Sequence, residues 1–396
     1  MKQYVVLAIF TLGFAACSPR FGQDVVPGGS RAPLPLGALD RSNFSTLLAF
    51  NGRYGGARPV GGLVAKGTTF YGTTSSAGLF GHGNIFRLTA DGHEKVIHSF
   101  HYDGDYPTGQ LLRLGETLYG TTLDGGAHNS GTVFSIKTGG KENWVHSFKG
   151  PDGEQPGGPL VELNNALYGT TEYGGKGGAC ENYTCGTIFK VSTSGSATII
   201  YNFSTGNDGA NPQSGLIKVN GRLYGTASGG QYQDGVVFTI TPTGKESVVY
   251  AFGSRPSDGR FPNGLVAVNG TLYGTTLLGG AQSAGTVFSV TPSGKESILY
   301  SFGSGSTDGN YPKTALTAYK GMLYGTTDMG GSGFNGTVFE ITTSGSERAL
   351  HNFTGRTDGG EPEGSLLQLG GTLYGTTAYG GGATGVGSGV VYELRP

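Results

Sequence analysis

Charge is scarce: Asp, Glu, Lys and Arg make up 13% of the 396 residues, about half the share of an ordinary globular protein. The net charge is −1, which leaves no basic footprint for a phosphate backbone and excludes nucleic acid as a partner. There are three Cys, too few for a structural zinc, which normally takes about four ligands. HExxH, GxSxG, Walker and CxxC motifs are all missing, and none of the seven His pairs with another at ligand spacing. No metal or cofactor is therefore expected. No long apolar run is present either: "YVVLAIFTLGFAA" has 13 residues, where a spanning helix needs about 20.

Glycine is what the chain has in excess, at 77 of 396 residues, against roughly 7% in average proteins. A helix-rich fold cannot carry that load. With 17 Pro the composition approaches that of disordered chains, but 21 Tyr and 21 Phe speak against disorder. The reading is a folded, turn-rich, all-β protein.

The N-terminus reads as an address. A short basic start, Met1-Lys2-Gln3, precedes the apolar run, as in a secretory signal peptide, here assigned to residues 1–16. Phe14-Ala15-Ala16 before Cys17 resembles a bacterial lipobox, with Phe14 where Leu is usual. The resemblance implies that Cys17 becomes the acylated first residue of a lipoprotein. Ordinary cleavage after Ala16, giving a soluble secreted protein, is the alternative. Residues 17–42, with Pro19, Pro27, Pro33 and Pro35, read as a lipid-anchored tether. The expected location is the outer membrane or cell surface, otherwise the periplasm or the medium, with the lipid as the sole membrane contact.

Residues 43–396 repeat. "LYGTT" or a variant places a tyrosine at Tyr71, Tyr119, Tyr168, Tyr224, Tyr273, Tyr324 and Tyr374, and "GTVF" variants begin at Gly83, Gly131, Gly186, Gly235, Gly285, Gly336 and Gly389. An aromatic closes a third run at Phe50, Phe100, Phe148, Phe203, Phe252, Phe302 and Phe353. Each unit of about 50 residues holds four β-type runs, for example "ALTAY", "MLYGTT", "TVFEI" and "ERALHNF", which are named strands A to D. That is the content of one propeller blade. The run ending at Phe50 is a D strand with no A, B or C before it, and the last unit has A, B and C but no D. The expectation is a seven-bladed β-propeller of four-stranded antiparallel blades, with the N-terminal strand closing the last blade and hiding both edges. A closed barrel or an open solenoid would leave the matching surplus and missing strands unexplained.

The pattern "LYGTT..GG....GTVF" with a trailing "GKES" resembles the Gloeobacter/Verrucomicrobia-type (GloVer) tandem repeat of bacterial surface proteins with varied anchors, over Phe44 to Pro396. The resemblance implies export, anchoring and a propeller-like fold. It carries over no catalytic residues.

Spacing separates two faces. From the "GTVF" glycine to the next terminal Phe the distance is 17 in all six complete units, whereas from the "LYGT" tyrosine to that glycine it ranges from 11 to 18. In an antiparallel meander the B-to-C and D-to-A links share one end. The length variation thus falls on one face, where binding loops are expected. A "DGxxP" turn recurs there with Asp103, Asp152, Asp208, Asp258, Asp308 and Asp358, and Gly55 replaces the Asp in the first unit. These Asp read as turn residues bonding local N–H groups. A ring of carboxylates gripping a cation or sugar at the channel mouth is the competing reading.

A site needs asymmetry, and unit two supplies His101, Tyr102, Asp105, Tyr106, Asp124 and His128, with Glu154, Glu172 and Tyr173 in unit three. Acids and aromatics on adjacent blades could hold a saccharide or supply an acid and a base, or be ordinary surface. Cys180 and Cys185 flank "ENYT" in the longest B-to-C loop. In an exported chain a disulfide is expected between them, stiffening a loop that carries Glu181 and Tyr183. The function expected is a monomeric envelope binding or scaffold module for a glycan or surface protein, more readily than an enzyme. An extracytoplasmic polysaccharide hydrolase or lyase is the alternative.

Overall fold

Strand pairing in the computed structural model follows the repeat. The structure describes residues 43–396 except 141, 177–184, 194, 196, 383, 385 and 386. Blade 1 is formed by Val64–Lys66, Thr69–Thr74, Asn84–Thr89 and Glu94–Ser99, its strands A to D, paired in that order and antiparallel. Seven such four-stranded sheets are present among the described residues. In the seventh, Leu367–Leu369, Thr372–Thr377 and Val390–Leu394 are completed by Phe44–Ala49, the N-terminal strand. The fold is a seven-bladed β-propeller closed by strand exchange. Separate blades exclude a single barrel, and the closed circuit excludes an open solenoid.

Three features of each repeat explain the ring. The glycine of "LYGTT" leaves room for the aromatic ring of strand C. A Cβ at Gly72 would stand 2.7 Å from Phe86 Cζ and 2.9 Å from Leu63. The terminal Phe of each D strand then meets the strand-C aromatic of the next blade edge-on, as in Phe100 with Phe134, at 5.2 Å between centroids and 64°. The same pair recurs seven times and includes Phe50 with Phe86, across the closure, at 5.2 Å. Such edge-to-face pairs contribute about 0.5–1.5 kcal/mol each beyond burial. The buried side chains form seven clusters, each built from two neighbouring blades, so the core lies between the sheets.

In six blades, all but the first, where Thr73 makes no such bond, the first Thr of "LYGTT" adds a polar tie. Thr170 Oγ1 donates to the Ser214 carbonyl (3.0 Å) and Thr275 Oγ1 to the Thr314 carbonyl (3.0 Å), both in the next blade. In blades 2, 3, 5 and 6 the second Thr pairs with the Thr that opens strand C, as in Thr276 with Thr286 at 2.8 Å, and in blades 1 and 7 it accepts the N–H of Asn84 and of Val390. In blade 4 both partners change together, to Ala227 and Val236, so that neither polar group is left alone.

Candidate functional site

The A strands of neighbouring blades touch and surround a central channel of about 680 Å3. The D strands are therefore outermost. In every blade the link entering strand A pairs with the B-to-C loop, as in Ala57 with Ser76, Asp105 with Asp124 and Glu154 with Tyr173. Both variable segments thus share one face, here called the loop face.

The six "DGxxP" aspartates are tied to their own turns and to the outermost strand. Asp208 accepts from the Ser204 N–H (2.9 Å) and from Tyr201 OH (2.9 Å), and Asp308 from the Ser304 N–H (2.8 Å) and Tyr300 OH (3.1 Å). Asp258 bonds the Gly253 N–H (3.0 Å) and Tyr250 OH (2.9 Å). In the other three turns a His replaces the Tyr: His98 on Asp103 (3.1 Å), His146 on Asp152 (3.1 Å) and His351 on Asp358 (3.2 Å). These carboxylates face strand D and do not converge on the channel. The partner always stands two residues before the terminal Phe. Where the Asp is Gly55, that residue is Leu48.

A glutamate of the next blade adds a second carboxyl at three of these turns. Tyr201 OH lies 3.5 Å from Glu246 Oε2, and Glu296 and Glu347 take the same place beside Asp258 and Asp308. Burial first, then the neighbouring Asp, pushes Glu246 and Glu347 up to about 7. Glu296 is also raised to about 7 by burial, although Arg255 beside it pulls the other way. At two His-bonded turns the balance is reversed. Burial would raise Asp103 and Asp358, but hydrogen bonds from His98 and His351 and from local N–H groups hold both below the usual carboxylate value.

The asymmetric residues gather on the loop face of blades 1 to 3. His101 lies between Phe80 (4.5 Å between centroids) and Tyr102 (4.0 Å). His82 Nδ1 is 2.8 Å from Asp105 Oδ2, and the Tyr106 N–H donates to Asp105 Oδ1 (2.9 Å). Asp124 accepts from Gln155 Nε2 (3.4 Å), and its carboxyl is raised by burial and by Asp105 nearby. Glu172 accepts from Gln213 (2.9 Å). Burial and Glu172 push the Tyr173 hydroxyl up to about 12. His128 is exposed, without a side-chain contact to this group among those described. Cys17, Cys180, Glu181 and Tyr183 lie outside the described residues, and Cys185 is buried. Sequence reasoning missed His82 and Phe80, whose one signal is an apolar pair, Leu79-Phe80, inside a glycine-rich loop.

It also missed a charged group at the channel rim between blades 5 and 7. Asp328, Glu361 and Glu363 bring carboxylate oxygens within 4.8 Å of one another, an all-oxygen set of the kind hard cations use. The Lys313 ammonium already sits among them, 2.9 Å from Asp328 and 3.1 Å from Glu363. Burial raises the Asp328 carboxyl against the pull of Lys313.

The model of the Gloeobacter/Verrucomicrobia repeat matches residues 38–230 and 177–392. The chain belongs to the Gloeobacter/Verrucomicrobia repeat family. A search of curated proteins gives no match. Among solved structures, this family member resembles a candidate 6-phosphogluconolactonase of Bacteroides fragilis at 15% identity, TM-score 0.52, over 79% of this chain and 87% of that one. It also resembles a candidate oxidoreductase (glucose dehydrogenase) of Thermus thermophilus at 14% identity, TM-score 0.45, covering 89% and 99%. A third match is tricorn protease, at 11% identity and TM-score 0.42, covering 80% of this chain and 27% of that one. At such identities the repeat protein shares a fold with the first of these and nothing more specific.

Proposed function

We propose that the protein is an exported cell-envelope module, anchored through Cys17, whose loop face binds a glycan. One observation carries the reading. Of the exposed large apolar residues among those described, Tyr54, Leu79, Phe80, Tyr102, Tyr106, Tyr232, Met329 and Phe334 all lie in D-to-A or B-to-C links, and Val248 alone does not. Exposed aromatics beside carboxylates and amides suit sugar rings, which present an apolar C–H face and a hydroxyl rim. The opposite face has short, uniform turns and none of these side chains. A disulfide between Cys180 and Cys185 would stiffen the longest loop of the same face.

The test is a glycan array probed with the mature chain, followed by incubation of any hit and mass analysis of the sugar. Binding without cleavage is expected. Cleavage products would move the protein to the polysaccharide-active enzymes. An empty array would contradict the glycan reading.

A further inference from the structure

The glycan reading above leaves the chemical class of sugar open, and the inference here rests on that reading. Phe80, His101 and Tyr102 form one continuous aromatic run. The Tyr102 carbonyl accepts the Gly126 N–H (3.1 Å), which seats this residue on the B-to-C loop of blade 2. Its side chain remains 77% exposed. Beside it opens a groove of about 640 Å3, lined by Tyr102, Ala127, His146 and Ser147 among others, within the size range of small-ligand sites.

Asp103 and His146 in the lining are paired, with His98 and Asp152, and two further carboxylates stand two residues from the lining, Asp105 beyond Asp103 and Asp124 before Gly126. His82 faces Asp105, and Asp124 accepts from the neutral Gln155. Among the described residues no Lys or Arg pairs with Asp105, Asp124 or Glu154, whereas in blades 5 to 7 Glu296, Asp328, Glu363 and Glu340 are held by Arg255, Lys313, Arg58 and Arg348. Aromatic ring faces are themselves electron-rich and attract cations. A neutral sugar here would displace water from two carboxylates and return only hydroxyl hydrogen bonds. An ammonium group on the sugar would add an ion pair with them, an attraction of opposite full charges that a hydroxyl cannot supply.

We propose that the loop face of blades 1 and 2 binds an amino sugar carrying a free ammonium group. Its pyranose C–H face lies on Tyr102 and its ammonium lies at the Asp105–Asp124 edge.

Calorimetric titration of the mature chain with an oligomer of glucosamine, and with the matching oligomer of N-acetylglucosamine, tests this. The first should bind and weaken with added salt, and the second should bind at least about tenfold more weakly. Tyr102→Ala and Asp124→Asn should each weaken the glucosamine oligomer about tenfold at an unchanged melting temperature. Val248→Ala, on the outermost strand of blade 4 and outside the loop face, should leave it unchanged. Equal binding of the two oligomers, or an Asp124→Asn protein as tight as the wild type, would overturn the ammonium claim while leaving glycan binding intact. Loss in Val248→Ala and not in Tyr102→Ala would overturn the location. Failure of both oligomers, with other sugars bound on the array, would overturn this proposal alone. A blank array would remove the parent reading with it.

Discussion

Gly389 lies directly against Pro59, so that a Cβ at Gly389 would stand 2.6 Å from Pro59 Cδ. The contact joins blade 7 to blade 1, the two ends of the ring. The same glycine-to-proline contact joins Gly131 to Pro156 (2.5 Å) and Gly285 to Pro312 (2.6 Å). "GTVF" and "DGxxP" are therefore two halves of one joint between blades, and strand exchange alone does not close the circle.

Gly389→Ala should accordingly cost more than Gly115→Ala. Gly389 has φ +96° and a crowded Cβ position, whereas Gly115 has φ +60° and open space. The expected losses are about 3 kcal/mol or more for the first and about 1 kcal/mol for the second. Denaturant midpoints of the two variants check this. Equal losses would mean that the joint contributes nothing beyond backbone strain.

Tyr300 and Asp308 should behave as a coupled pair, because Leu48 and Gly55 show the ring accepting the loss of both together. Tyr300→Leu and Asp308→Gly should each cost about 1–3 kcal/mol, since each leaves a polar group without its partner. The double variant should cost less than their sum by about 1 kcal/mol. Additive losses in urea titrations would contradict the pairing.

That coupling also shows where the sequence was legible. Seven copies of a glycine, a tyrosine and a terminal Phe set the blades, because each answers a steric demand that recurs at every interface. The partner of each Asp stood two residues before that Phe, and the matched loss of Leu48 and Gly55 was visible in the alignment of units. Strand periodicity does not reveal it, because it joins a strand to a loop rather than one strand to another. His82 meets Asp105, and Asp328 meets Glu361 and Glu363, only because the B-to-C loop of one blade abuts the link leading into the next. Spacing along the chain carries no trace of that meeting.

Stability should fall as pH rises through neutrality. Glu246, Glu296 and Glu347 are raised in the folded state to about 7, from a usual 4.5. They bind protons more tightly when folded, so their contribution is complete below about 4.5 and is lost as pH rises through about 7. Asp103 and Asp358 are held below their usual 3.8, so theirs is present above that value and lost in stronger acid. Melting temperatures should pass through a maximum at mildly acidic pH. Glu347→Gln should flatten the alkaline side, and an unchanged slope in that variant would contradict the burial-raised Glu347 carboxyl.

The cysteines should separate by chemistry. Mass analysis of the protein purified from membranes should find a lipid on Cys17, absent from Cys17→Ser, and a bond between Cys180 and Cys185 until a reductant is added. An unmodified Cys17 would contradict the anchor, and two free thiols at Cys180 and Cys185 the stiffened loop.

Hydrogen–deuterium exchange of the mature chain, with and without the best glycan from the array, tests the central claim most directly. Amides of the loop face, at 78–83, 102–106 and 124–128, should exchange more slowly with the sugar bound, while the turns around Gly67, Gly92, Gly115 and Gly140 on the opposite face should be unchanged. Protection of those turns, with the loop face unaffected, would contradict the assignment of the loop face as the binding surface.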